Sequence, residues 1–244
     1  MRTIGGFWAA LLIIAAAPAL ARTYSVGVQD LDYLPHFATV DRQLVGFVRD
    51  LLDSFAKDEG IVFEYSAIPI SRLHNDFPAG KYDFCYPDNP RWSTATKSKV
   101  TIIYSDAVER LTDGIMLLPE RQGLKLENIR TFGLVQGFTR DKIDQYTSQD
   151  KIEFIENPTV DGLIGQVLDQ RIDVMYANIL VVQHRLDKMN RVGSLVYSTT
   201  LPHTDYEYYL STVRYPEIID SFNVWMKSHA RLIAETKKRY GIDP

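Results

Sequence analysis

Apolar positions along this chain recur in two rhythms that take turns. Tyr24-Ser25-Val26-Gly27-Val28 alternates and breaks at Gln29-Asp30, the pattern of a strand running into a loop. Between Gly46 and Gly60 the period lengthens: Val48, Leu51, Leu52 and Phe55 stand at i, i+3, i+4 and i+7, which predicts an amphipathic helix stopped by Gly60. Ile61 to Tyr65 reads as the next strand, Ser71 to Phe77 as a short helix ahead of Gly80, and Tyr82 to Tyr86 as a third strand. A similar unit follows Asp113-Gly114. Strands are expected at Ile115–Leu118, Thr131–Val135, Glu153–Ile155, Ile172–Tyr176 and near Tyr208–Val213, and helices at Asp141–Tyr146, Val160–Leu168 and Ile179–Leu186. Two further helices fit Pro216–His229 and Ala230–Arg239, with Gly241 ending the last. Strands alternating with helices predict an α/β fold with a mixed, mostly parallel sheet, and no short fixed repeat points to a solenoid.

Composition narrows the class. The 244 residues are 45% apolar and 24% charged, enough for a packed core and too apolar for disorder. Twenty-seven Lys and Arg against 31 Asp and Glu give a net charge of −4, which argues against a nucleic-acid partner. A single cysteine, Cys85, excludes an internal disulfide framework and cysteine-rich zinc sites. The opening residues combine Arg2, an apolar run from Ile4 to Ala17 and the small-x-small tripeptide Ala19-Leu20-Ala21. This is the pattern of a secretory signal peptide over residues 1–21, cleaved after Ala21. A spanning anchor needs about 20 apolar residues, more than this run supplies, and no cysteine follows for a lipid anchor. The expectation is an exported, periplasmic, monomeric protein.

The order of landmarks resembles the periplasmic solute-binding proteins of the amino-acid-binding type (bacterial extracellular solute-binding protein family 3). The residues that carry it are Val26-Gly27-Val28, Tyr33-Leu34-Pro35, Leu44-Val45-Gly46-Phe47, Gly80-Lys81-Tyr82-Asp83, Arg91, and Tyr104-Ser105-Asp106. Gly133-Leu134-Val135-Gln136-Gly137, Gln170-Arg171-Ile172-Asp173 and Lys238-Arg239-Tyr240-Gly241-Ile242 continue the series over nearly the whole chain after Ala21. The resemblance implies the type II periplasmic binding fold: lobe 1 from residues 22–113 and 205–244, lobe 2 from 114–204, and a two-segment hinge. It also implies a small polar or anionic ligand, amino-acid-like or a carboxylate, held for an ABC-type transporter or a membrane sensor.

Within that frame Arg91 matches the arginine that clamps a ligand carboxylate through its planar fork. Thr139 and Arg140, with Phe138 before them, match a second-lobe helix start, where N–H groups favour an anion. Asn178 stands where the family carries a carboxylate for the ligand's ammonium, so the resemblance points to an anionic ligand and away from a plain zwitterion. Ile70 occupies a position often aromatic, and the loop containing Asn89 is shorter than the family's. Asp30 and Tyr33 follow the first strand, on the cleft side of a parallel sheet. Arg72 opens the short helix near the same corner. Each has a plainer reading: Arg91 pairing with Asp88, Arg72 as a solvated charge, Asp83 and Asp173 as strand braces.

Enzyme signatures are weak. Ser54-Phe55-Ala56-Lys57 matches S-x-x-K without the partners that motif needs, and the five histidines never fall three or four apart, so no metal site is expected. No cofactor is implied. The rival class is an exported enzyme on the same scaffold, such as a dehydratase acting on a prephenate-like acid, for which His36 and Glu207 are the candidate proton donors.

Overall fold

The computed structural model describes residues 21–41, 43–139 and 152–242. Residues 1–20, Arg140 and the helix expected at Asp141–Tyr146 lie outside the described residues. In chain order the first part runs β1 (Arg22–Gln29), β2 (Ala38–Val40), β3 (Gln43–Val45), α1 (Phe47–Glu59), β4 (Ile61–Ile68), α2 (Ile70–Asp76), β5 (Phe84–Asp88), α3 (Thr94–Lys97) and β6 (Ile103–Tyr104). The middle holds β7 (Glu109–Leu117), β8 (Thr131–Val135), β9 (Glu153–Asn157), α4 (Val160–Leu168), β10 (Val174–Asn178), α5 (Ile179–Lys188) and β11 (Val196–Tyr197). The chain ends in β12 (His203–Thr212), α6 (Pro216–Ser228) and α7 (Ala230–Arg239).

The main sheet has the order β4-β1-β5-β12-β7-β10-β8-β9. At one end β1 runs parallel to β4 and β5, and at the other β8 runs parallel to β9 and β10. Between these parallel halves lie two antiparallel strands. β12 pairs with β7 from His203↔Gly114 to Tyr208↔Glu109, and its last residues pair with β5. The architecture is therefore two α/β lobes with mixed sheets, joined along β7 and β12. The expected strands at Tyr82 and Ile172 begin two residues later, because Asp83 and Asp173 are used as braces. The Asp83 carboxylate accepts from Ser25 N (2.8 Å) and Oγ (2.9 Å), and that of Asp173 from Arg130 N (2.7 Å), Thr131 N (3.0 Å) and Arg121 Nη2 (2.8 Å).

Helix α1 shows how one element positions the cleft. It buries Phe47, Val48, Leu51, Leu52 and Phe55, as the periodicity predicts, and Gly60 ends it in the left-handed conformation (φ 66°). Its unpaired first N–H groups are satisfied by the preceding loop: Phe47 N donates to Pro35 O (3.1 Å) and Val48 N to His36 O (3.2 Å). That contact demands glycine at 46. Its φ is +100°, and a Cβ there would lie 2.9 Å from both His36 O and Phe37 Cα. Gly46→Ala should therefore destabilise the fold by about 1–3 kcal/mol, the usual cost of such backbone strain, measured as a lowered urea midpoint.

Candidate functional site

Parallel strands deliver their C-terminal ends to one edge of each half-sheet, and the loops leaving those ends face each other. From the first lobe come Gln29 at the end of β1, Ile70 and His74 on α2, and Arg91 and Trp92 on the loop after β5. From the second come Gly137, Phe138 and Thr139 after β8, and Tyr176 on β10. The joining strands supply the back wall: Asp113 from β7, and Thr204, Tyr206 and Tyr208 from β12. The cavity is narrow, leaving about 60 Å³ for the centres of water-sized molecules. The two sides already touch. Phe138 meets the Tyr33 ring edge-on at 5.7 Å. A Cβ on Gly137 (φ +86°) would lie 3.2 Å from both Ile70 Cβ and Ser71 Oγ. At the rim, Arg185 of α5 pairs with Asp161 of its own lobe and with Asp32 of the other.

Arg91 is exposed at the mouth, and its pairing with Asp88 does not form. Asp88 is buried and bonds Lys97 instead. Lys97 Nζ also donates to Asn89 O (2.7 Å), Ser211 Oγ donates to Asp88 Oδ2 (2.6 Å), and Asn89 Oδ1 accepts from Arg91 N (2.9 Å). Burial pushes the Asp88 carboxyl above the usual range, while the Lys97 ammonium, the Ser211 hydroxyl and the Asn89 N–H pull it back. This cluster pins the loop that presents Arg91 and Trp92.

Behind the cavity wall lies a second network. Glu109 Oε2 meets His36 Nδ1 at 2.6 Å, and Oε1 accepts from the Tyr86 hydroxyl at 2.6 Å. His36 Nε2 lies 3.3 Å from Asn178 Oδ1, which also accepts from Val181 N (3.1 Å) and so caps α5. Asn178 N donates to the Tyr33 hydroxyl at 3.2 Å. Tyr206 donates to Asp113 Oδ1 at 2.7 Å. Burial raises the phenols of Tyr33, Tyr86, Tyr206 and Tyr208 well above their ordinary value, the neighbouring carboxylates adding to the effect. Burial likewise raises Asp113 to about 7 against the hydrogen bonds of Tyr206 and Asn178 and the influence of His36. His74 moves the other way, down to about 4, from burial and the nearby Lys97. Its Nδ1 meets Ser93 Oγ at 2.7 Å, and its Nε2 has no hydrogen-bond partner among the described residues.

Of the residues expected from the sequence, Arg91, Phe138 and Thr139 line the cavity together. Tyr33, Asn89 and Asn178 do not; they are buried and spend their polar atoms on the structure. Asp30 and Arg72 are exposed outside the lining, and Arg140 lies outside the described residues. The proton-donor candidates fare no better, since neither His36 nor Glu207 reaches the cavity. Asp113 does, and it was read from the sequence only as a lobe boundary. A carboxyl therefore faces the cavity, which removes the ground on which Asn178 argued against a zwitterion.

No protein-family model matches the chain, and no curated protein sequence does. Solved structures do match. An ancestral arginine-binding protein bound to arginine superposes with a TM-score of 0.73 at 15% identity, over 91% of this chain and 99% of that one. An ancestral amino-acid-binding protein, a precursor of cyclohexadienyl dehydratase, gives 0.71 at 17% over 89% and 94%. An amino acid ABC transporter substrate-binding protein from Streptococcus pneumoniae, bound to L-arginine, gives 0.68 at 14% over 88% and 94%. The fold is that of the periplasmic binding proteins. In a periplasmic binding fold the cavity described above occupies the space between the lobes.

Two consequences are measurable. Lys97→Met strands a buried carboxylate and should cost about 3–5 kcal/mol, seen in urea denaturation. The His74 imidazole has a depressed folded-state pKa, so its stabilising contribution is present above about 6.5 and lost as pH falls toward about 4. Wild type should therefore lose more stability between pH 7 and pH 5 than His74→Gln does, measured by thermal melts at each pH.

Proposed function

We propose that this protein is an exported, periplasmic solute-binding protein that captures a small carboxylate-bearing solute in the cleft. The lobes that close on it are residues 22–113 with 205–244, and residues 114–204. The solute then passes to an ABC-type permease or a membrane sensor. The observation that carries this reading is the exposed Arg91 guanidinium, braced by a buried ion pair and set at the mouth of a cavity whose far wall belongs to the other lobe. A planar fork of donors suits a carboxylate. Thr139 and the N–H groups around it offer a second anion-friendly surface across the gap. The arginine-bound neighbours, one of them a transporter component, support a binding role. Because a solute touching both lobes gains both sets of contacts only when they are closed, closure and binding are coupled.

One observation favours a catalytic alternative. Burial raises the Asp113 carboxyl in the cavity wall to about 7, which suits a proton donor of the kind a dehydratase needs, and one structural neighbour is a precursor of such an enzyme. Recovery of the bound solute unchanged separates the two.

Calorimetric screening against amino acids, dicarboxylates, aromatic acids and polyamines tests the binding reading. Arg91→Ala should weaken the best ligand by about tenfold or more, and Arg91→Lys should also weaken it, because the bidentate geometry is lost. Small-angle scattering should show a smaller radius of gyration at saturation. Tight binding indifferent to Arg91→Ala, or conversion of the solute to product, would overturn it.

A further inference from the structure

The loop between β1 and β2, residues 30–37, is fastened to both halves of the molecule. Its backbone belongs to the first lobe. Asp30 N donates to Ile68 O of β4 at 2.9 Å, Tyr33 N donates to Phe37 O at 2.8 Å, and the Pro35 and His36 carbonyls accept from the first turn of α1. Its side chains cross to the second lobe, where their polar partners are the cap and the last turn of α5. At the cap, the Tyr33 hydroxyl accepts from Asn178 N at 3.2 Å and His36 Nε2 lies 3.3 Å from Asn178 Oδ1. At the last turn, the Asp32 carboxylate accepts from Arg185 Nη1. Asn178 and Arg185 are seven residues apart, about 10 Å along a helix. One contact would leave α5 free to swivel against the loop, whereas two spaced along a rigid rod do not. The two ends differ in kind. Tyr33, His36 and Asn178 are at most 1% exposed, so salt does not reach their bonds. The outer end is a surface pair, with 44% of the Asp32 side chain open. Such pairs are normally weak, because salt screens them and two side chains must be immobilised. Here one side chain is immobilised already. Asp161 of α4 holds the Arg185 fork by two bonds, from Nε at 2.6 Å and from Nη2, which leaves Nη1 directed across the gap at Asp32.

We infer that Arg185 and Asp32 form a clasp between the lobes that works without touching the solute, Arg185 being the preset donor and Asp32 the catch, and that this pair sets how often the inner bonds from the loop to α5 come apart. Neither residue lines the cavity. A clasp so placed biases the protein toward the arrangement in which both walls of the cavity meet. It therefore raises the affinity for any solute that bridges the walls by one common factor, whatever the solute's chemistry. Salt weakens it, because only its outer end is open to screening.

Amide hydrogen exchange, followed residue by residue by NMR with no solute added, tests this directly. The Asn178 N–H is bonded to a hydroxyl of the other lobe, so its exchange reports the parting of the lobes. The Val181 N–H is bonded within its own lobe and reports loosening of α5 itself. At low salt, Asp32→Asn and Arg185→Gln should each speed exchange at Asn178 by about two- to fivefold, the factor that corresponds to an exposed ion pair. Val181 should not change. The double variant should be no faster than either single one, because the two changes remove the same bond. About 0.5 M NaCl should bring wild type to the rate of the variants and leave theirs unaltered. Asn178 exchange unchanged in Asp32→Asn overturns the inference, even where Arg185→Gln fails to fold. Equal acceleration at Val181 also overturns it, since α5 is then fraying and the lobes are not parting. Additive single effects or a wild-type rate indifferent to salt do the same. None of these readings involves a solute, so each leaves the binding role proposed above standing.

Discussion

Glu109 is a carboxylate held at 1% exposure, and much of the molecule's long-range order hangs on it. A carboxyl group so deeply buried is tolerable only when its oxygens have hydrogen-bond partners. Tyr86 fills one side from the first lobe and His36 the other, from the loop that caps α1. Through His36 the chain of bonds continues to Asn178, which caps α5 in the second lobe. Three elements distant in sequence are thereby registered against one strand. The same strand carries Asp113 four residues on, so whatever fixes β7 also fixes the cavity's back wall.

The cleft-bearing loop after β5 follows a parallel logic with a different charge pair. Asp88 and Lys97 are both nearly inaccessible, and the carboxylate, the ammonium and the Asn89 carbonyl are joined in one cluster. A buried pair of this kind contributes little net stability but strongly penalises any geometry in which it is broken. The loop therefore has one arrangement, and Arg91 is presented from a rigid base. A side chain presented rigidly has less entropy to lose in any contact it makes.

Much of the fold was legible in the sequence because α1, α4, α5, α6 and α7 carry a clear helical period, and they fall within one or two residues of where it placed them. The β2–β3 hairpin and the two-residue strands β6 and β11 are too short to show an alternation. Strand β7 was obscured by its charges. Glu109, Leu111, Asp113, Ile115 and Leu117 alternate as a buried face should, but two of the five are acids, and Asp113-Gly114 reads as a turn. The lining of the candidate cavity was legible only where a motif carried it, as for Arg91 and Thr139. Of the aromatic pair Tyr206 and Tyr208, the first lay at the hinge between the expected lobes and the second at the start of an expected strand, and no local pattern says that both meet Trp92. Asn178 misled for the opposite reason: its position suggested a ligand contact, yet a residue beginning a helix directly after a strand is first in line to cap it.

The close approach at Gly137 has its own consequence. Its Cα hydrogen is all that separates this corner from Ile70 and Ser71. Any larger residue there would work as a doorstop, wedging the two walls of the cavity apart by a fraction of an ångström. The closeness of the two walls is thus set at a position that carries no side chain, separately from the polar groups that line the same cavity.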